Sequence, residues 1–442
     1  MKSNAKIEAS RRNFIRNSSM AATTLILPSM DLGAMPSLFK DKKLKLALIG
    51  CGGRGTGAAN QALEADPEVE LIAMADLFED RLSSSYSSLM EKYEATGKMN
   101  VPDTNKFVGF DGFKKAIDLA DVVILTTPPG FRPYHFEYAV QKGKHVFMEK
   151  PLATDAPGIR KVLEVARLAD EKGLNVVVGL QRRYQDNYLR TLEQLRAGAI
   201  GKIRSGQVYW NSDGVWVRPR QASETELQYQ MRNWYYFNWV CGDHILEQHI
   251  HNIDVANWFI GSHPVSAQGM GGRQVRTGPD HGEIFDHHFV EFTYADGAVV
   301  ASQCRHQPGT MSRVGEQFQG TAGTVETNDA GVARILDLEG NITSTISNPE
   351  GHNPYQEEHN RLFASIRAGE QINNAVYGAH STLTAIMGRM ATYSGQVITW
   401  EQALNSNLRL MPTALDWDSV PPSRPDDQGR YVIPTPGITQ AY

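Results

Sequence analysis

Cysteine is scarce in this chain, with three in 442 residues: Cys51, Cys241 and Cys304. An odd, widely spaced set excludes a disulfide framework and a thiolate metal cluster, so free thiols are expected. An excess of one charge is also missing. Against 49 acidic residues stand 44 basic ones, a formal net charge of -5, which leaves no basic footprint for nucleic acid. Beyond the N-terminal leader no apolar run approaches the ~20 residues that a membrane-spanning helix needs. Internal repeats are absent. What is left is a chain of ordinary globular composition, 41% hydrophobic and 21% charged, long enough for two domains.

Residues 1–40 have the three parts of an export signal. Lys2 to Arg12 is basic, Phe14 to Met30 is moderately apolar, and Pro28-Ser29 and Gly33-Ala34 follow. The run Ser10-Arg-Arg-Asn-Phe-Ile-Arg16 resembles a twin-arginine (Tat) signal, which carries folded proteins out of the cytoplasm. A periplasmic or other extracytoplasmic location is therefore expected.

From Lys43 the pattern alternates strand, tight turn and helix. Apolar runs at Leu44–Ile49, Val69–Ala75, Asp121–Thr126, His145–Met148 and Asn175–Gly179 read as strands buried on both faces. Helices are expected at 56–65, 78–95, 110–119, 134–142 and 156–172. Such alternation defines an α/β, doubly wound parallel sheet of Rossmann type, over 43–180. After Arg183 strand-like segments follow one another, as in His288-Phe-Val-Glu-Phe-Thr-Tyr294. Strands are expected at 203–209, 264–269, 287–294, 298–305 and 316–320, and helices at 188–197, 245–259, 357–368 and 380–394. This reads as a C-terminal α+β domain over 181–410 with a large, open, mainly antiparallel sheet. Residues 411–442, rich in Pro, Gly and Asp, form an extended tail that wraps the surface or meets a partner subunit.

Gly50-Cys-Gly-Gly-Arg-Gly55 fits G-x-G-x-x-G where the pattern has physical meaning, after a strand and opening a helix. Gly50 allows the tight turn, Gly52 lets the backbone approach a pyrophosphate, and Gly55 lets helix and strand pack closely. The helix start then offers N–H groups and partial positive charge. Asp76, at the end of the next strand, can accept hydrogen bonds from ribose hydroxyls and would repel a 2′-phosphate. NAD is favoured over NADP, although Arg81 nearby weakens that preference.

Two further segments, Glu149-Lys-Pro151 and Glu247-Gln-His-Ile-His-Asn-Ile-Asp254, together with the glycine loop, resemble the Gfo/Idh/MocA family. That family is named for glucose-fructose oxidoreductase and inositol dehydrogenase. Thr126-Thr-Pro-Pro129 with His135, and Val178-Gly-Leu-Gln-Arg-Arg-Tyr184, extend the resemblance over roughly 44–400. It implies cofactor contacts from Gly50, Gly52, Gly53, Arg54, Gly55, Asp76, Thr127, Pro128, His135, Glu149 and Lys150. It implies substrate contacts from Arg183, Tyr184, His249 and Asp254, and a homo-oligomer, dimer or tetramer. The family pattern Asp-x-x-x-His-x-x-Asp falls on Glu247, His251 and Asp254. Glu replaces Asp at the first position, and His249 stands where a small glycine is usual.

Oxidation of a secondary alcohol takes a hydride from carbon and a proton from oxygen. Histidine is suited to the proton near neutral pH, so His251 is the candidate general base. Glu247 lies four residues earlier on the expected helix face, and Lys150 can hydrogen-bond the same oxygen. Trp210, Trp216, Trp234 and Trp239 crowd the segment leading into this helix. Aromatic faces suit sugar rings, and Trp234 is taken as a substrate contact. Asp243, His244, Glu247, His249 and His251 make a ligand-capable run, but the spacing is not H-E-x-x-H and no cysteine supports it; no metal is expected.

The expected protein is an exported NAD(P)-dependent oxidoreductase acting on a hydroxyl of a sugar, glycoside or cyclitol, with tightly bound NAD. The alternative is a redox-neutral glycoside hydrolase working through transient C3 oxidation, elimination and hydration. Family relatives use that route, and Tyr184, His249 or His251 would be the base. A third possibility is a dinucleotide- or sugar-binding protein without turnover, against which the joint presence of Lys150, Glu247 and His251 speaks.

Overall fold

The computed structural model describes residues 42–442; the Arg11-Arg12 signal lies outside the described residues. The first sheet has six parallel strands in the order β3-β2-β1-β4-β5-β6. These are β1 (Leu44–Ile49), β2 (Val69–Asp76), β3 (Lys106–Val108), β4 (Val122–Leu125), β5 (His145–Met148) and β6 (Val176–Val178). Every residue of β4, β5 and β6 is buried, because helices cover both faces of the sheet. Their continuous apolar sequence made them readable. The short edge strand β3 was not expected, since its three residues carry no periodicity.

The second sheet has nine strands, β14-β13-β12-β11-β7-β10-β9-β8-β15. In chain order they are β7 (Ile203–Ser212), β8 (Pro264–Gly272), β9 (His287–Tyr294), β10 (Val299–His306), β11 (Arg313–Gly320), β12 (Thr324–Asn328), β13 (Val332–Leu336), β14 (Ile342–Ser347) and β15 (Ile398–Thr399). All pairings are antiparallel except β7 with β10. β9 and β10 alternate half-buried and buried residues along their whole length, as a sheet with one covered face requires. β12, β13 and β14 were missed in the sequence. β14 is Ile-Thr-Ser-Thr-Ile-Ser with a single buried residue, Ile346, too polar to signal a strand.

Two expectations are corrected. The helix foreseen over 245–259 is two pieces, His244–Glu247 and Ile250–Ile260, with a break at Gln248-His249. The first domain is also not closed at residue 180. The helix Pro354–Ala368 returns to it and packs Leu362, Phe363 and Ile366 into the same core cluster as Leu46, Leu63 and Leu89. The tail does wrap the surface. Tyr431 donates to Glu226 at 2.6 Å and meets Phe237 edge to face at 4.9 Å, and the Gly437 amide bonds the Ser394 carbonyl. The three cysteines are free and buried.

Candidate active site

The expected cofactor residues cluster at the carboxyl ends of the parallel strands, where open α/β sheets bind ligands. Gly50 follows β1, Asp76 ends β2, Thr126 and Thr127 follow β4, and Lys150 follows β5. The turn after β1 forces Gly50 to φ 96°, a region costly for any side chain. A Cβ on Gly55 would stand 1.9 Å from the Gly50 carbonyl oxygen, so helix and strand touch there. A Cβ on Gly52 or Gly53 would meet nothing within 4 Å, because that side of the loop faces a cavity of about 570 Å³. The helix Gly53–Ala65 has no side-chain cap and no acid in its first turn. Its first N–H groups therefore remain for an anion. The residues present fit a dinucleotide pyrophosphate.

Asp76 lines the same cavity, but its carboxylate also braces the loop. It accepts from the Cys51 amide at 2.6 Å and the Phe78 amide at 2.9 Å, and burial raises its pKa. Thr127, Pro128 and His135 line the groove as expected. His135 stacks on Phe113 at 4.0 Å and contacts Thr127 Oγ1 at 3.1 Å. Burial, then the neighbouring Arg132, pushes its pKa down to about 3, so it is neutral. Arg54 lines the groove as well, and Glu149 does not. Arg54 commits its guanidinium to Glu149 at 2.5 Å and Gln61 at 3.0 Å. Glu149 is buried behind the loop, where it fills the space that a Cβ on Gly179 would need.

The other wall of the groove comes from the second half of the chain: Trp216, Arg218, Met231, Arg232 and Trp234. Trp234 thus lies against the cofactor groove, in contact with Trp216 and Tyr235. Arg232 reaches across to Asp80 with two hydrogen bonds, 2.9 and 3.0 Å, and covers the Phe78 ring at 4.0 Å. From the tail, Trp417 packs on Phe78 and Phe110 with centroids 5.6 and 5.0 Å apart.

Lys150, Glu247 and His251 come together from separate elements. Lys150 Nζ donates to the Glu247 carbonyl at 2.7 Å and stands 4.0 Å from Glu247 Oε2. Burial lifts the Glu247 carboxyl to about 7, against the opposing pull of Lys150 and Arg132. His251 stacks on Trp210 at 5.8 Å, and its Nδ1 is buried without a partner. Burial, then the charge of Lys150, holds its pKa well below the usual histidine range. The imidazole is therefore a neutral base, and Glu247 is the group poised to titrate near neutral pH. The expected i, i+4 pairing of Glu247 with His251 fails because the helix breaks between them.

Four expected substrate contacts are turned elsewhere. Arg183 and Asp254 bind each other through two 2.8 Å bonds, and Ser381 donates to Asp254 at 2.7 Å. Tyr184 donates to Asn374 at 2.6 Å, and burial raises its pKa. His249, fully buried, faces the large sheet and meets Ser302 Oγ at 2.7 Å. Sequence reasoning missed Arg132 and Tyr235. Arg132 donates to the carbonyls of Leu125 and Thr127 at the end of β4. Tyr235 is buried with an unpartnered hydroxyl, and its pKa is raised by burial and then by Glu247. An arginine in a helix turn and one tyrosine among many aromatics carry no sequence signal of their own.

Fold and comparisons together define a Rossmann-type oxidoreductase. Residues 44–180 match the oxidoreductase family with an NAD-binding Rossmann fold, and residues 188–326 match the GFO/IDH/MocA C-terminal domain. The chain belongs to the GFO/IDH/MocA oxidoreductase family, and its cofactor is NAD. It is 28% identical over 291 residues to an inositol 2-dehydrogenase of Rubrobacter xylanophilus, covering 64% of this chain and 71% of that one. To an inositol 2-dehydrogenase of Rhizobium meliloti it is 22% identical over 324 residues, or 73% and 86%. The fold is shared with an aldose-aldose oxidoreductase from Caulobacter crescentus: TM-score 0.65, 20% identity, 81% of this chain and 100% of that one. It is also shared with a levoglucosan dehydrogenase in complex with NADH and levoglucosan: TM-score 0.64, 16% identity, 81% and 100%.

Proposed function

We propose that this protein is an exported enzyme that oxidises or reduces a secondary hydroxyl of a sugar, glycoside or cyclitol with NAD it retains. The observation that carries this is the meeting of Lys150, Glu247 and His251 beside the carboxyl ends of the NAD-binding strands. Bound NAD supplies the hydride acceptor. Lys150, anchored on the Glu247 carbonyl, holds positive charge where an alcohol oxygen would sit and lowers the cost of its deprotonation. Glu247 or the neutral His251 takes the proton. Glu247 is suited to it by a pKa near the working pH. The inositol and sugar dehydrogenases among the relatives support the substrate class.

Retention of NAD is supported by the second wall of the groove and by Trp417, which packs on Phe78 and Phe110 of its lining. A chain exported through Arg11 and Arg12 after folding would carry that cofactor with it and recycle it on a second substrate. The half-buried outer face of the large sheet, with Tyr209 on β7 and Phe289 on β9, supports assembly into a dimer or tetramer. Light scattering on the purified protein measures that size. The glycoside hydrolase reading is weakened at two of its three candidate bases, since Tyr184 is bonded to Asn374 and His249 to Ser302.

The test is to purify the chain without added nucleotide, identify what it releases on denaturation, and incubate it with cyclitols, aldoses and aryl glycosides. A keto product with stoichiometric NADH supports the proposal. Phenol release with no net redox change would replace it with the hydrolase. Turnover that survives the Lys150→Ala, His251→Ala double variant would remove the site from the reaction. An Arg11→Lys, Arg12→Lys variant should stay in the cytoplasm; export unaffected by it would refute the signal.

A further inference from the structure

Behind the turn that presents Glu247 lies a second group of buried polar side chains, to which the reaction assigns nothing. Asp243 caps the helix His244–Glu247, and among the described residues it is the one non-glycine with positive φ, at 77°. Its Oδ2 accepts from the Phe285 amide at 3.0 Å and the Tyr393 hydroxyl at 2.5 Å. Two imidazoles face the same carboxylate. His288 Nε2 is 3.3 Å from Oδ2 and His244 Nε2 is 3.9 Å from Oδ1, and all three side chains are wholly buried.

One tautomer of His288 leaves it free to bind a cation. The Thr392 hydroxyl is 3.1 Å from the Arg389 carbonyl, to which it donates, and 2.9 Å from His288 Nδ1. With the proton on Nδ1, His288 turns a lone pair at Nε2 toward the Asp243 carboxylate. His244 has no partner on either ring nitrogen, and His288 has none on Nε2. Burying a polar atom without a partner is costly, and a group of three in one place calls for something between them.

We propose that Asp243, His244 and His288 form a binding site for a first-row divalent transition metal such as zinc. Their ligand atoms all lie within 4.8 Å of one another. Two ligands of a tetrahedral zinc ion, each about 2.0–2.1 Å from it, stand about 3.4 Å apart. The pair His288–Asp243 has that spacing at Oδ2, and His244, 3.9 Å from Oδ1, must move inward to complete the set. Two imidazoles and a carboxylate suit zinc, iron or nickel better than magnesium or calcium. Cys241 is not a ligand, since its thiol donates to the Tyr235 carbonyl and accepts from the Asp243 amide. Thr392, Tyr393 and the Phe285 amide hold the ligands from behind, as partners of metal ligands do. The ion would join the Glu247 turn, β9 and the helix Ala375–Ser394, fixing where Glu247 stands without touching substrate.

The test uses the full chain, stripped with a chelator and titrated with Zn²⁺ and Co²⁺. Uptake of about one ion per chain, a cobalt d–d spectrum with imidazole ligation, and a melting temperature that falls on stripping and recovers on refilling are expected. His244→Ala and His288→Ala should abolish uptake. Thr392→Val, which keeps all three ligands and tests the site if those variants fail to fold, should weaken zinc binding about 10–100-fold. If the wild-type chain takes up no more metal than His288→Ala, or Thr392→Val binds zinc as tightly as wild type, the proposal falls.

Discussion

Lys150 grips Glu247 by its main chain, Nζ to carbonyl oxygen at 2.7 Å, while its ammonium stays 4.0 Å from the carboxylate of the same residue. The hydrogen bond fixes the lysine, and the longer gap leaves the carboxylate unneutralised. Burial therefore wins over attraction, and Glu247 titrates at about 7. A tight ion pair would have pulled it the other way. The arrangement keeps a proton acceptor that is ready near neutral pH beside a cation that steadies an alkoxide.

Glu247→Gln should lower kcat by about 10²–10⁴-fold and remove the limb of the kcat/KM profile that rises through pH 7. The same variant should be more stable above that pH. Glu247 titrates at 4.5 when unperturbed and about 7 in the fold. Below 4.5 both states are protonated and the burial costs nothing. As pH rises to about 7 the unfolded chain has released a proton that the native one keeps, so stability falls, by about 3 kcal/mol in total. Gln escapes this loss. Denaturant melts at pH 4 and pH 8 check it, and equal stability differences at both would show that Glu247 is not perturbed.

Lys150→Met should keep NAD bound, because the glycine loop and Asp76 are untouched, and should lose activity by about 10²–10³-fold. Fluorescence titration with NADH separates the two effects. A parallel loss of cofactor affinity would mean that Lys150 serves the nicotinamide and not the alcohol.

Much of the site was legible in the sequence because its parts are local. A glycine loop between strand and helix, an acid at the next strand end and a lysine after β5 each sit in short segments whose conformation their own residues dictate. The errors are of another kind. Arg183, Tyr184, His249 and Asp254 stand in the right segments, but where a side chain points depends on distant neighbours: Ser302 on β10, Asn374 and Ser381 near or on the helix Ala375–Ser394. The break at Gln248-His249 turned a helical face into two. The strand β14 was invisible because a polar edge strand is built by pairing and carries little apolar pattern, and β12 and β13 are only five residues each. His288, 44 residues beyond His244, joins it only through the sheet register.

Asp254→Ala should be a stability mutant. Asp254 is 1% exposed and holds Arg183 through two bonds. Removing it strands a mostly buried guanidinium, at a cost of about 3–5 kcal/mol. Calorimetry should show the drop, and KM for the alcohol should stay within about twofold of wild type, a difference below 0.5 kcal/mol. A large KM effect at unchanged stability would return Asp254 to the substrate site.

The cover on the cofactor groove has a strong part and a weak part, and they can be told apart. Arg232 meets Asp80 where the two side chains are 30% and 57% exposed, so the ion pair contributes about 0–1 kcal/mol, with a similar amount from its place over Phe78. Trp417 puts a large apolar surface on Phe78 and Phe110, and its loss would both uncover those rings and open the groove. Burying even part of an indole outweighs an exposed ion pair. Trp417→Ala should therefore speed NAD release about 10-fold or more, and Arg232→Ala only about 3–10-fold. The Arg232 effect should shrink as salt is raised, since solvent-exposed charges are screened within about 10 Å at 0.1 M salt; the Trp417 effect should not. Stopped-flow release of NADH measures all three. Release rates that neither variant changes would mean that the cover is decorative and that retention, if it occurs, comes from the glycine loop alone.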